Sequence, residues 1–144
     1  MNRVAEKAIG VNPERVRLKV PATANGLVLI SALSSTGRRP MATCAPTTAS
    51  VLMAASAGAE LIAPYASVLK RYSVATKLSE LQRMEQALRS QPEQSRLCVG
   101  IYDPADLYDY ASLGIRTAFL WEIDVEAFAE GYLVREAEIG RAHV

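Results

Sequence analysis

Arg17-Leu18-Lys19-Val20-Pro21-Ala22-Thr23-Ala24-Asn25-Gly26-Leu27 is the stretch whose reading decides the fold. Its first half is a short apolar run, read as a buried β-strand over Val16–Pro21. Its second half opens a helix at about Asn25. Lys19 stands inside the strand. A lysine held in apolar surroundings loses solvation, which favours the neutral amine over the ammonium. A neutral amine attacks carbonyl carbon, so the segment by itself proposes Schiff-base chemistry. The alternative is a lysine whose stem lies along the strand while its head escapes to water at the strand end.

The same strand-then-helix pattern recurs outward from this segment. The first helix runs to Ser34 and Gly37 ends it. Met41–Ala45 reads as a second strand. Thr47 or Thr48 can cap the next helix, which continues to Ala57 and stops at Gly58. Leu61–Tyr65 is a third strand, followed by a less regular stretch over Ala66–Lys77. Leu78, Leu81, Met84 and Leu88 carry helical spacing through Ser90. Arg96–Ile101 is a fourth strand. Asp103 caps and Pro104 opens a helix that ends at Gly114, with proline in the first turn where its missing N–H costs nothing. Arg116–Leu120 is a fifth strand, and Asp124 caps a last helix. Residues 3–9 read as the end of an earlier helix, closed by Gly10 and Pro13. Helical crossovers imply parallel strands. Five such units fit either an open doubly wound sheet or part of a barrel, and periodicity does not choose between them.

Composition narrows the function. The 144 residues are half hydrophobic and carry a net charge of +1, with acids and bases interspersed. That supports a packed domain and offers no basic stripe for nucleic acid or for a membrane surface. No apolar run approaches a membrane span, and the N-terminus lacks the apolar core of a signal peptide. Neither G-x-G-x-x-G nor a Walker A pattern is present, which weighs against a nucleotide-binding sheet. Cys44 and Cys98 show no metal-ligand or disulfide spacing, so no metal site is expected and a reduced, cytoplasmic setting is the default. Cys44 can line a pocket mouth or pack as a small apolar residue, and packing is the preferred expectation.

Lys19-Val20-Pro21-Ala22-Thr23-Ala24-Asn25-Gly26-Leu27 resembles the fourth-strand motif of the transaldolase family, in the branch that includes fructose-6-phosphate aldolase. The likeness continues without a gap through Ala57-Gly58-Ala59-Glu60-Leu61-Ile62-Ala63-Pro64-Tyr65, and more weakly past Pro104 and Gly114. It covers roughly residues 3–130. The resemblance implies an α/β fold: a partial (β/α)8 TIM barrel of about five parallel βα units, corresponding to strands four to eight. It implies that Lys19 is the Schiff-base lysine, that Thr43 helps hold a catalytic water, and that Tyr65 hydrogen-bonds the same water. The plainer readings are a β-forming or capping threonine and a packed tyrosine beside proline. Ala63-Pro64-Tyr65 is similar to the aldolase branch rather than to the Ser-Pro-Phe of ordinary transaldolases.

Two departures qualify the likeness. The family's phosphate-binding arginine after the strand-six tyrosine is Val68 here, with Lys70 or Arg71 as possible substitutes. A substrate-binding serine at the end of strand seven aligns with Gly100. The resemblance therefore implies a ketose or sugar-phosphate substrate, held differently or unphosphorylated, with backbone N–H groups near Gly100 as the alternative phosphate holder. It implies no cofactor, a homo-oligomer commonly built from pentameric rings, and a place in carbohydrate metabolism. Family members begin with three further strands that supply an aspartate and a glutamate or glutamine. Met1 falls in the helix before strand four, so a fragment of a longer enzyme is expected, with a non-catalytic sugar-binding or subunit-pairing module as the rival. Ile139-Gly140-Arg141-Ala142-His143-Val144 matches the in-frame translation of a sequencing adapter. The expected domain is thus residues 1–137, with a non-native tail over 138–144 that takes His143 out of any chemistry.

Overall fold

The structure, a computed structural model, describes residues 16–64, 74–91, 95–101, 104–120 and 125. Along the chain these form β1 (Lys19–Pro21), α1 (Ala24–Ser35), β2 (Met41–Thr43), α2 (Thr48–Ser56), β3 (Leu61–Ile62), α3 (Val74–Arg89), β4 (Arg96–Gly100), α4 (Pro104–Ser112) and β5 (Thr117–Phe119). The expected helix over 3–9, Tyr65, Val68, Lys70, Arg71, Asp103, the helix after Asp124 and the tail all lie outside the described residues.

All strand pairs are parallel, and the sheet order is β1-β2-β3-β4-β5. This order settles what periodicity left open. A doubly wound sheet reverses its strand order at a switch point, and this one steps in a single direction. Right-handed crossovers that all step the same way put every helix on one face, which is how a barrel winds.

Burial agrees. Val20, Ala42, Ile62, Leu97 and Val99 point to the helix side and are buried there with Ile30, Val51, Ala54, Leu81, Met84, Leu88 and Tyr110. The helical spacing of Leu81, Met84 and Leu88 is thus the inner stripe of α3. Helices α1 and α2 are apolar on more than their inner faces: Val28, Leu29 and Met53 are exposed.

The sheet is strongly curved. Lys19 Nζ on β1 lies 5.3 Å from the centroid of the Phe119 ring on β5. In a flat sheet these strands would stand four spacings apart, about 19 Å, farther than the two side chains can bridge. Five consecutive strands of an eight-strand barrel cover half a turn, which places the first opposite the fifth across the interior. The described strands are therefore a barrel arc with an open concave face.

Local chemistry sets the turns. Thr23 is the N-cap of α1, its Oγ1 accepting the Gly26 N–H at 3.2 Å. A Cβ at Gly26 would run into the Pro21 carbonyl, so only glycine lets α1 start this close to the end of β1. Thr47 rather than Thr48 caps α2, in a reciprocal pair in which Thr47 accepts the Ser50 N–H and Ser50 Oγ accepts the Thr47 N–H.

Two expectations need correction. The strands are shorter than the apolar runs: β2 stops at Thr43 because Cys44 takes a positive φ of 57° and turns the chain. Helix α3 begins at Val74 instead of Leu78. Val74 and Thr76, both β-branched, disguise its first turn in sequence. Tertiary contacts hold that turn in place, since Lys77 Nζ donates to Asp106 Oδ1 at 2.6 Å and lies 5.3 Å from the centre of the Tyr110 ring.

Candidate active site

The concave face is built by alternation along the strands. Residues paired across parallel strands share a face, and so do residues two apart. Lys19 pairs with Met41 and Pro21 with Thr43. Cys98 pairs with Thr117 and Gly100 with Phe119. Lys19, Thr43, Cys98, Gly100 and Phe119 therefore look into one interior, away from the helices.

Lys19 and Thr43 are diagonal neighbours on adjacent strands. Thr43 and Gly100 are the last residues of their strands, at the C-terminal end where barrel enzymes place their chemistry. Lys19 is the first residue of β1 and stands one row lower. Its side chain crosses the interior toward Phe119 rather than rising from a strand tip.

Lys19 is exposed, which fits the reading of a head in water. The reason is the open arc: the helix side of β1 is packed, and its concave side is left uncovered by the described strands, unlike that of β4, where Cys98 and Gly100 are buried. No carboxylate lies within ion-pair distance of Lys19 among the described residues. Its nearest charge-stabilising neighbour is the π face of Phe119. The Cys98 thiol faces the same space. Burial pushes it up from its ordinary value, and the Lys19 charge pulls it partly back.

Thr43 is half-buried, and its carbonyl accepts the Ala22 N–H at 2.7 Å. Its hydroxyl has no partner among the described residues, which leaves it available to a water or a substrate hydroxyl. Gly100 is buried. The next amide, Ile101 N–H, donates to the Phe119 carbonyl at 3.0 Å. Tyr65 lies outside the described residues. Cys44 is exposed at the strand tip beside Thr43, against the expectation that it packs.

Sequence reasoning passed over Cys98 and Phe119. The signal was present: in Arg96–Gly100 and Thr117–Phe119, strict alternation puts Cys98 on the face of Gly100, and Phe119 on the face of Thr117. What sequence could not supply was the curvature that carries Phe119 to Lys19.

Among the described residues, no helix is long and apolar enough to cross a membrane. Comparison with protein families matches residues 2–125 to the Transaldolase/Fructose-6-phosphate aldolase family. No curated protein sequence matches the chain. The family match spans most of the 144 residues, and the one-way order of parallel strands agrees with the family's TIM barrel, so this chain belongs to the transaldolase/fructose-6-phosphate aldolase family.

Proposed function

We propose that this chain carries the Schiff-base half of an aldol transfer or cleavage reaction on a ketose. The observation that supports it is the placement of Lys19 and Thr43 as diagonal neighbours on the concave face, in a chain whose family members are aldolases and transaldolases.

The Lys19 amine adds to the ketone carbon to give a carbinolamine, which loses water to form an iminium. The iminium draws electrons from the neighbouring carbon–carbon bond. That bond breaks as the β-hydroxyl loses its proton, releasing an aldehyde and leaving an enamine on Lys19. The enamine then adds to an acceptor aldehyde, or takes a proton and is hydrolysed to return the free amine. In this reading protons move through a water that the Thr43 hydroxyl and the Tyr65 phenol would hold. No metal and no organic cofactor enters these steps. The setting is cytoplasmic carbohydrate metabolism, and the working form is a homo-oligomer.

Phosphate on the substrate is not required for recognition in this reading. Val68 offers no bidentate donor, and Ile101 N–H is already committed to Phe119. A second reading, a non-catalytic sugar-binding or subunit-pairing barrel, is favoured by one observation: Lys19 is exposed on an open face.

Borohydride reduction in the presence of dihydroxyacetone separates the two. A single adduct on Lys19 that disappears in Lys19→Met supports the catalytic reading. Adducts scattered over many lysines, or none, support the module.

A further inference from the structure

The N-terminal ends of β4 and β5 carry a charge excess that composition does not foreshadow. A cavity of about 400 Å³ opens there, lined by Glu85 and Arg89 of α3, Arg96 and Leu97 of β4, and Gly114, Ile115 and Arg116 leading into β5. Three guanidinium groups face one carboxylate in a chain whose net charge is only +1.

Each arginine has a different status. Arg89 is held in place: its Nε donates to Glu85 Oε1 at 3.3 Å and its Nη2 to the Leu113 carbonyl at 3.2 Å. Its guanidinium lies against Gly114, where a Cβ would displace it and where φ is +85°. An arginine in the last turn of a helix is the ordinary partner of exposed carbonyls, so Arg89 alone implies nothing. Arg96 and Arg116 stand at strand starts, and that explanation does not reach them. Arg96 lies close enough to Glu60 to act on it through space. Glu60 already receives two hydrogen bonds from Arg17, at 2.6 and 3.1 Å, and one from Arg39 at 3.3 Å. Both Arg96 and Arg116 are exposed, and neither makes an ion pair among the described residues.

The geometry points to a binding site for a small phosphate-bearing metabolite in this cavity. Planar guanidinium forks match phosphate oxygens in pairs, and here two arginines that make no ion pair among the described residues stand beside an oriented third. The volume is that of a small-molecule site. The site is independent of Lys19 and of the proposed aldol chemistry.

The test is titration of inorganic phosphate into the full chain, followed by calorimetry and by amide chemical shifts, against chloride at matched ionic strength. Saturable phosphate binding is expected, with the largest shifts at Leu97, Gly114 and Ile115, unchanged in Lys19→Met. Arg116→Met, which removes no ion pair among the described residues, is expected to weaken binding about tenfold, the loss typical of a hydrogen bond to a charged group. Arg96→Met/Arg116→Met is expected to abolish it while both variants keep the native circular dichroism. Arg116→Lys, a point charge without the fork, is expected to fall between the wild type and Arg116→Met. Equal response to chloride, shifts confined to the concave face, or binding by the double variant within twofold of the wild type would each overturn the proposal.

Discussion

The two faces of the sheet obey different rules. On the helix side Val20, Ala42, Ile62, Leu97 and Val99 are buried in one continuous core with the inner stripes of the helices. On the concave side Lys19 is exposed, Met41 and Thr43 are half-buried, and a lysine reaches across the interior to an aromatic ring. The helix side is closed by contacts within the described chain and should answer to packing alone. The concave side contributes little to that core and keeps the Lys19 amine, the Thr43 hydroxyl and the Cys98 thiol facing one space. Substitutions on the two sides should therefore fail in different ways: loss of stability on one, loss of chemistry on the other.

The largest expected effect breaks chemistry without breaking the fold. Lys19→Met should remove the borohydride-trapped adduct entirely, while urea unfolding shifts by about 0.5 kcal/mol or less, as for an exposed site. A loss of several kcal/mol in that variant would mean the concave side is part of the core after all. The opposite outcome is expected on the helix side. Ile62→Ala should cost about 2–5 kcal/mol in urea unfolding, because Ile62 has no solvent exposure and a cavity would replace it.

Next in size is the link between α3 and α4. Burial pulls the Lys77 ammonium down, but hydrogen bonds to Asp106 and Tyr110 more than offset it, so its pKa is raised on balance. Burial raises the Tyr110 phenol as well. Both groups hold their protons more tightly when folded. Their contribution is complete below the ordinary values of 10.0 and 10.5 and is lost as pH rises through the folded values. Thermal stability should therefore fall above about pH 10, and Lys77→Met should flatten that alkaline limb while costing about 1–3 kcal/mol at neutral pH. An unchanged alkaline limb in Lys77→Met would rule out this origin.

The acid side has the reverse sign. The hydrogen bond from Arg17 holds the Glu60 carboxyl below 4.5, with burial opposing it. Its stabilisation is present above that value and is lost as pH falls through the folded value. Glu60→Gln should remove part of the acid limb, an effect of about 1 kcal/mol or less for a pair at the surface. Smallest and most local is Thr47→Ala. Loss of the reciprocal cap should lower stability by about 1 kcal/mol without touching the adduct on Lys19.

The comparison also shows how far residue patterns reach. Thr47, Gly58, Pro104 and Gly114 mark helix ends by local chemistry that acts within a few residues, and the structure keeps those ends. Leu81, Met84 and Leu88 betray α3 because helical period and burial coincide. The first turn of α3 escaped because Lys77 is held by Asp106, twenty-nine residues away. Lys19 was legible as a strand lysine, but its exposure was not. An apolar neighbourhood in sequence becomes desolvation only if something covers the residue in space.

What the chain's order of residues determined by itself is the repeat: strand, helix, strand, with caps and stops, and the face on which each strand residue lies. Period two in a strand and 3.6 in a helix are properties of the backbone, so they can be read one segment at a time. What only the tertiary structure decided is the direction in which the units add and how far the sheet bends. The one-way strand order makes it a barrel arc, and the curvature carries Phe119 to Lys19 and gathers Arg89, Arg96 and Arg116 around one cavity. Those meetings depend on crossover handedness and sheet twist summed over five strands, which no single segment contains.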